Sequence, residues 1–132
     1  MFAAAEGKRG GQYYTTQSIV KTLVAVLSPT NGRVYDPCCG SGGMFIQTAQ
    51  FINDKVKKSI NESITVYGTE LKTNNTKLAK MNLAIHGLEG KIIEDNSFYS
   101  DPHKLVGKCN FIMANPPFNV KKVDKKNRCT NI

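Results

Sequence analysis

The sequence predicts an α/β fold: a parallel sheet with helices covering its faces. Short apolar runs alternate along the chain with longer segments of helical period, which is the pattern of strands joined by crossover helices. The least common residue types, namely clustered glycines, isolated acids and a double proline, follow directly after these apolar runs. Because parallel sheets bind ligands at the carboxyl ends of their strands, we expect these residues to meet at one rim.

The first half of the chain is predicted to form a helix, a strand and a second helix. The first helix covers 15–29, behind two threonines able to cap it, and is ended by Pro29 and Gly32. A short strand over 33–35 then enters a glycine-rich turn. Helical period resumes at Met44. The residues expected on one face of this second helix are Phe45, Ala49, Ile52 and Val56.

The second half repeats the alternation of strand and helix. A strand is predicted over 64–68 and a helix over 73–86, with Gly87 just beyond its end. Two further strands are predicted over 91–94 and 109–114. The apolar stripe expected on the helix consists of Leu78, Met81 and Ile85.

Composition narrows the class of protein. With 132 residues, of which 40% are hydrophobic and 21% charged, the chain is long enough for one domain and close to the soluble average. No apolar run approaches the roughly 18 residues of a spanning helix, and no secretory signal is recognisable. We therefore expect a cytoplasmic protein with no membrane partner. The four cysteines contain no CxxC pair, which predicts reduced thiols and no zinc site.

The net charge of +8 suits an anionic partner such as nucleic acid. Half of that charge lies in residues 121–128, where five basic residues stand against one acid. Much of the basicity therefore belongs to a polar tail, which we assign to residues 121–132.

The glycine-rich turn at 36–43 (DPCCGSGG) predicts a pocket that favours an anionic ligand. Gly40, Gly42 and Gly43 permit positive φ and close approach of a ligand, and the following helix directs free amide groups at it. The turn lacks the Gly-Lys-Ser/Thr of a Walker A loop, and Phe45 at the sixth place breaks a GxGxxG pattern. A purely structural turn between strand and helix is the alternative.

Glu70 follows the second predicted strand, where an acid in an α/β nucleotide fold accepts hydrogen bonds from ribose hydroxyls. It lies 30 residues after Gly40, further than the roughly 20 residues of the dinucleotide pattern. A polar insertion at 57–63 absorbs the excess. Taken alone, Glu70 would be interpreted as an ordinary exposed acid. Together with Asp36 and the glycines, it predicts nucleoside binding.

The sequence Asn115-Pro116-Pro117-Phe118 directly follows the last apolar run. Two consecutive prolines end the strand and fix a rigid, extended turn whose carbonyls lack neighbouring N–H groups. The side-chain oxygen of Asn115 and the carbonyl of Pro116 can then accept both hydrogens of one planar amino group, which keeps the nitrogen lone pair on the nitrogen. Phe118 is expected to stack on the ring that carries the amine. A proline turn with an incidental aromatic residue is the alternative.

Three segments together resemble the amino-group DNA methyltransferases that use S-adenosylmethionine, above all the modification (M) subunit of type I restriction-modification systems. The segments are 6–16 (EGKRGGQYYTT), 36–43 (DPCCGSGG) and 114–119 (ANPPFN). The resemblance extends to about Val120. It implies a Rossmann-like methyltransferase fold with the four strands in the order 3-2-1-4, and methylation of adenine N6 in DNA.

The resemblance also implies roles for individual residues. The residues implied to hold S-adenosylmethionine are Tyr14, Thr15 and Thr16 over the cofactor, Asp36, Cys38, Gly40, Ser41 and Gly42 at its methionine part, Glu70 at its ribose, and Asp95 or Asn96 at its adenine. The residues implied to bind an adenine turned out of the duplex are Asn115, Pro116, Pro117 and Phe118. No metal is implied, because the sulfonium is already a good leaving group. The implied partners are DNA, a specificity (S) subunit that reads the recognition sequence and a restriction (R) subunit.

The chain departs from the family pattern in length and at three positions. Thr16, Cys38 and Asn110 stand where the family has a proline, a small residue such as alanine, and an aspartate. A long helical region before this segment and several strands after it are absent. We therefore expect 1–120 to be the N-terminal part of a catalytic domain, ended by an early stop or an artificial boundary. Such an incomplete fragment keeps the cofactor pocket in outline, lacks elements needed for full activity and leaves its fourth strand with an open edge.

Other functions stay open at this point. The same Asn-Pro-Pro-aromatic turn serves methyltransferases that act on protein glutamines or on RNA, although the segment 6–16 favours DNA. A non-catalytic remnant that binds S-adenosylmethionine or docks with partner subunits is a second possibility. A nucleotide-binding α/β domain without methyl transfer is a third.

Overall fold

The computed structural model describes residues 15–56, 64–117, 120 and 123–124. They form a four-stranded parallel sheet with the strand order β3-β2-β1-β4. The elements in chain order are α1 (Gln17–Leu27), β1 (Gly32–Asp36), α2 (Gly43–Val56), β2 (Ile64–Glu70), α3 (Thr73–Ile85), β3 (Gly90–Glu94) and β4 (Phe111–Ile112). The parallel α/β fold and the strand order predicted from the sequence are confirmed.

Strand β1 lies between β2 and β4. Val34 is paired with Val66 of β2 on one side and with Phe111 of β4 on the other. Because β1 has neighbours on both edges and cover on both faces, its last residues are buried, including the carboxylate of Asp36. The carboxyl end of this strand therefore places a titratable group inside the protein.

Strand β4 is shorter than the predicted 109–114. Regular pairing is limited to Phe111–Ile112, although the N–H groups of Asn110 and Met113 still donate to carbonyls of β1 at 3.0 Å. The strand cannot continue into the double proline, because proline has no N–H to donate. Within the described residues β4 pairs with β1 alone, which leaves its other edge open.

The three helices lie side by side on one face of the sheet, with α2 in contact with both α1 and α3. Phe45, Ala49 and Ile52 of α2 are buried against β1 and β2, as predicted; the side chain of Val56 lies outside the described part. None of the described helices has the length and apolar character needed to cross a lipid bilayer.

Helix α1 begins one residue after Thr16 and ends at Leu27. The Thr16 side chain makes no capping hydrogen bond, so the predicted cap is not observed. The chain leaves the helix at Ser28, which adopts a left-handed conformation with φ 45° before Pro29 is reached. The turn out of α1 is therefore made by a serine.

The predicted apolar stripe of α3 is wrong. Met81 and Ile85 are 57% and 66% exposed, and Leu78 is only half-buried. The face that packs on the sheet is formed by Asn75, Thr76, Ala79 and Leu83. The small side chain of Ala79 fits here because α3 passes close to the glycine loop: a Cβ on Gly42 would lie 3.6 Å from Ala79 and 3.3 Å from Leu83 Cδ1.

In the described residues, the other face of the sheet carries the connection between β3 and β4 rather than a helix. His103 Nε2 lies 2.9 Å from the Gly68 carbonyl, and its ring makes edge contacts with Tyr35 and Tyr67. Leu105 from the same connection is also buried. Successive residues of a strand point to opposite faces of the sheet. Val34 and Val66 therefore belong to the core under the helices, whereas Tyr35 and Tyr67 contact His103 on the other face.

Candidate functional site

The four carboxyl strand ends converge as the sequence predicts. The loop after β1 is tied to β2 by a hydrogen bond from Cys39 N–H to Thr69 O, and the loop after β3 by one from Asp95 N–H to Glu70 O, both 3.0 Å. A cavity of about 340 Å³ opens between them. Its walls include Pro37, Cys38, Gly40, Glu70, Asn75, Asp95, Asn96, Asn115, Pro116 and Pro117.

The glycine loop turns into α2 through two residues in the left-handed region. Gly40 has φ 55° and Gly42 has φ 81°, whereas Gly43 is the first residue of α2. The side-chain amide of Asn82 in α3 donates to the Ser41 carbonyl at 2.9 Å and fixes the loop from the other side. The loop is therefore held by backbone turns and by one side chain that sequence reasoning missed.

Asp36 is an acid without a cation beside it in the described residues. It is 1% exposed, and its Oδ1 accepts a hydrogen bond from Cys38 N–H at 2.9 Å. Burial raises the pKa of Asp36 to about 7; the nearby charge of Glu70 adds to this, while the Cys38 hydrogen bonds oppose it. Asp36 does not line the cavity itself, so a positively charged ligand there would favour the carboxylate through space rather than by direct contact.

Glu70 is held in place by three donors. Its Oε2 accepts from Gly40 N–H at 3.0 Å, and its Oε1 accepts from Lys72 N–H at 2.8 Å and from Asn75 Nδ2 at 3.3 Å. Since a carboxylate oxygen has two lone pairs, Oε1 is saturated and Oε2 can accept one more hydrogen bond. Glu70 is thus oriented so that one oxygen can receive one hydroxyl.

The two cysteines of the loop are neutral thiols. Cys38 lies in the cavity wall, and burial, reinforced by the charge of Asp36, raises its pKa to about 12. The pKa of Cys39 is also raised, mainly by burial. Because the thiolate is the nucleophilic form, the raised pKa keeps both sulfurs weakly nucleophilic at neutral pH.

Asp95 and Asn96 both line the cavity. The Asp95 carboxylate accepts from Asn96 N–H and from the Ser100 hydroxyl, both at 2.7 Å. Asn96 Oδ1 accepts from Phe98 N–H at 3.0 Å. Both side chains therefore shape the turn after β3, and the choice between them that the sequence left open stays open. Phe98, which the sequence did not single out, adds an apolar wall to the cavity.

Asn115, Pro116 and Pro117 lie on the same cavity as the glycine loop, and the backbone N–H of Asn115 is near enough to the Cys38 thiol to oppose the rise of its pKa. A smaller adjoining cavity of about 120 Å³ is lined by Thr15, Ser41 and Asn115 among others. Asn115 Nδ2 donates to Thr15 Oγ1 at 2.6 Å. The corner after β4 is thus joined both to the glycine loop and to the start of α1.

Not every candidate residue is brought to the site. Thr16 is exposed; its hydroxyl lies 3.3 Å from Ser18 Oγ, and it lines neither cavity. Tyr14 and Phe118 lie outside the described residues. Asn75, by contrast, lines both cavities from the first turn of α3, although no sequence motif marked it. An asparagine on the sheet-facing side of a helix is the signal that could have found it.

The comparisons with known proteins concern the family and the fold of the chain. Residues 1–131 match the family model described as N-6 DNA Methylase. The chain belongs to this family. Among curated family members, it is 48% identical over 123 residues to the type I restriction enzyme HindI methylase subunit of Haemophilus influenzae, an alignment that covers 91% of this chain and 27% of the relative. The chain thus spans about a quarter of that relative's length.

Solved structures show the same fold. The methyltransferase subunit of a type I restriction-modification system from Streptococcus thermophilus superposes with a TM-score of 0.76 at 22% identity, covering 95% of this chain and 27% of the other. A protein from Listeria monocytogenes described as a class I S-adenosylmethionine-dependent methyltransferase superposes with a TM-score of 0.63 at 16% identity, covering 84% and 34%. The family member described here therefore has the Rossmann-like methyltransferase fold that the resemblance implied.

Proposed function

We propose that this chain forms the cofactor- and adenine-binding part of a DNA methyltransferase that transfers a methyl group from S-adenosylmethionine to adenine N6. The observation that carries this proposal is the position of Asn115, Pro116 and Pro117 on the same cavity as the loop after Asp36. An amine held by the corner and a methyl donor held by the loop would face each other across one space. The 48% identity to a type I methylase subunit supports modification in a type I system.

The residues around the glycine loop fit a cationic nucleoside cofactor. Asp36 is buried without a neighbouring cation in the described residues, so a ligand with positive charge would stabilise its carboxylate. Glu70 Oε2 keeps one acceptor position toward the cavity, which suits one ribose hydroxyl. The turn at Asp95 and Asn96, with the Phe98 ring, forms the wall that suits the cofactor's adenine. Bound S-adenosylmethionine supplies a methyl group on a positively charged sulfur, which leaves as a neutral thioether.

The corner after β4 fits a planar amino group. Asn115 Oδ1 and the Pro116 carbonyl are the two acceptors, and Pro117 carries no N–H to occupy a neighbouring acceptor. Accepting both N–H hydrogens would keep the nitrogen lone pair available to attack the methyl group that the bound cofactor supplies, and the extra proton on nitrogen would then leave to solvent. The base must be turned out of the duplex, since its amine is otherwise paired.

The partners follow from the proposed system. DNA is the substrate, a specificity subunit reads the recognition sequence and a restriction subunit completes the complex. A subunit that modifies chromosomal DNA in this way would work in the cytoplasm.

The test is a transfer assay with tritiated S-adenosylmethionine against DNA, RNA and protein substrates, with isothermal titration of the same preparation. We expect label in DNA adenine, abolished by Asn115→Ala and kept by Asn53→Ala, a change of the same type at an exposed position of α2. Label in RNA or protein would support the other amino-group methyltransferases. Cofactor binding without transfer would indicate a non-catalytic remnant, and nucleotide binding that ignores Asn115→Ala would contradict methyl transfer altogether.

A further inference from the structure

Asn75, in the first turn of α3, is held against Glu70 with its nitrogen facing the carboxylate. Asn75 Nδ2 donates to Glu70 Oε1 at 3.3 Å, and the same carboxylate accepts from the N–H groups of Lys72 and Gly40. All three contacts bring a donor to a carboxylate oxygen. A carboxamide turned by half a revolution would instead place two acceptor oxygens against each other. The contact therefore fixes which atom of Asn75 faces Glu70, and Oδ1 is the atom that faces away from it.

Asn75 Oδ1 is an acceptor that the protein leaves open. Among the described residues no donor lies within hydrogen-bond distance of it. In the same part of the chain, every side-chain nitrogen or oxygen that is sealed from solvent has a hydrogen-bond partner. Oδ1 is therefore reached by solvent, although Asn75 as a whole is only 7% exposed. Since Asn75 lines both the larger and the smaller cavity, that accessible surface lies on the cavities.

A ribose ring asks for more acceptors than Glu70 has left. Its 2′ and 3′ hydroxyls stand side by side, and each of them can donate one hydrogen bond. Glu70 Oε1 already accepts two hydrogen bonds and Oε2 accepts one, so the carboxylate can take one hydroxyl and not both. Asn75 Oδ1 offers a further acceptor on the side chain that contacts Glu70.

We propose that Asn75 is a second ribose-binding residue: its Nδ2 is anchored on Glu70, and its Oδ1 accepts the ribose hydroxyl that Glu70 has no lone pair to accept. This inference rests on the proposed function, because it assigns the ribose of S-adenosylmethionine to the cavity beside Glu70. Together the two side chains would require both hydroxyls, and so would distinguish a ribonucleoside from either deoxynucleoside.

The first measurement needs no variant. S-adenosylhomocysteine and its 2′-deoxy and 3′-deoxy analogues are titrated separately into the full chain by calorimetry. We expect each analogue to bind about fivefold more weakly than the parent compound, because each hydroxyl has an acceptor of its own. If either analogue binds as tightly as S-adenosylhomocysteine, only one hydroxyl is bound and the inference is overturned.

The second measurement identifies the acceptor. We expect Asn75→Ala to weaken S-adenosylhomocysteine and one deoxy analogue by about fivefold, and to leave the affinity for the other analogue unchanged, since that analogue lacks the hydroxyl that Asn75 binds. Asn74→Ala, at the exposed neighbouring position, is the matched control and should leave all three affinities unchanged.

The outcomes separate this inference from the proposed function. Equal weakening of all three compounds in Asn75→Ala would show that Asn75 only orients Glu70, and would reject the inference while the cofactor site stands. A wild-type chain that binds none of the three compounds would contradict the cofactor proposal and, with it, the role of Asn75.

Discussion

Glu70 at the end of β2 accepts a hydrogen bond from the backbone N–H of Gly40, 3.0 Å away and in the glycine loop after β1. The acid proposed to hold the ribose therefore also holds the loop proposed to hold the methionine part. If the proposed role is right, ligand binding and loop order depend on the same carboxylate.

Replacing Glu70 by glutamine is expected to damage both properties. Three N–H donors face this carboxylate, so the amide NH2 of a glutamine must meet at least one of them whichever way it is turned. A buried donor left without an acceptor costs about 1–3 kcal/mol. We expect urea unfolding to show a loss of that size and titration with S-adenosylhomocysteine to show affinity at least about tenfold weaker.

The matched control for this change is Glu94→Gln. Glu94 is an exposed acid at the end of the neighbouring strand β3, and its one described contact is with the Thr73 hydroxyl. We expect the control to leave both measurements close to wild type. If the two variants behave alike, the carboxylate of Glu70 has no special part in the site.

Asn82→Ala tests whether α3 holds the glycine loop. The variant removes the donor to the Ser41 carbonyl and is expected to lower the free energy of unfolding by about 1 kcal/mol. Hydrogen exchange at the amides of 40–43 should become faster, because the loop loses a side-chain hydrogen bond from α3. Asn74→Ala, at an exposed position of the same helix, is the control. Unchanged exchange in the loop would contradict a supporting role for Asn82.

The sequence predicted the strand order and the convergence of the strand ends because both depend on local signals. Alternation of strand and helix dictates the parallel sheet, and the rim follows from it. The packing face of α3 was mispredicted because the helix presents Ala79 to Gly42 and is apolar on its outer side. The helical period of a sequence shows which side of a helix carries the apolar residues. It does not show where a helix passes so close to another backbone that only a small side chain fits.

The Asn115 contact with Thr15 was out of reach for a different reason. Thr15 was expected at the cofactor, and Asn115 at the target base, each from its own motif. No local pattern links two residues 100 positions apart, and only the packing of α1 beside α2 brings them together. Asn82 was missed similarly, since it acts on the Ser41 carbonyl across two elements.

Gly42→Ala is expected to destabilise the fold, and Gly43→Ala is not. Gly42 has φ 81°, and its added Cβ would lie 3.3 Å from Leu83 Cδ1. The left-handed conformation alone costs a non-glycine residue about 1–2 kcal/mol. At Gly43, the first residue of α2, a Cβ meets nothing within 4 Å, and alanine favours the helix. Thermal unfolding of both variants checks this; equal melting temperatures would mean that the loop adapts its backbone.

The pKa of Asp36 predicts how stability changes with pH. In the folded state Asp36 holds its proton up to a pKa of about 7, whereas the ordinary pKa of an aspartate is 3.8. The folded protein therefore binds more protons between these values, and the contribution of Asp36 to stability falls as the pH rises from about 4 to about 7. The fall is on the order of 4 kcal/mol at most, from about 1.36 kcal/mol for each pKa unit.

Asp36→Asn isolates this contribution, because asparagine keeps an oxygen that can accept from Cys38 N–H but does not ionise. The difference in urea unfolding free energy between wild type and variant removes the effect of the acids that do not interact with Asp36. The effect of Glu70, whose charge raises the pKa of Asp36, stays in this difference. We expect the free energy of unfolding of the variant, relative to that of the wild type, to rise from pH 4 to 7. At pH 8 the variant should be the more stable protein. We also expect it to bind S-adenosylmethionine more weakly at pH 8, since the carboxylate that a cationic ligand restores is gone. Parallel stability curves would show that Asp36 ionises in the folded protein at its ordinary pKa, and the fit to a cationic cofactor would lose its electrostatic basis.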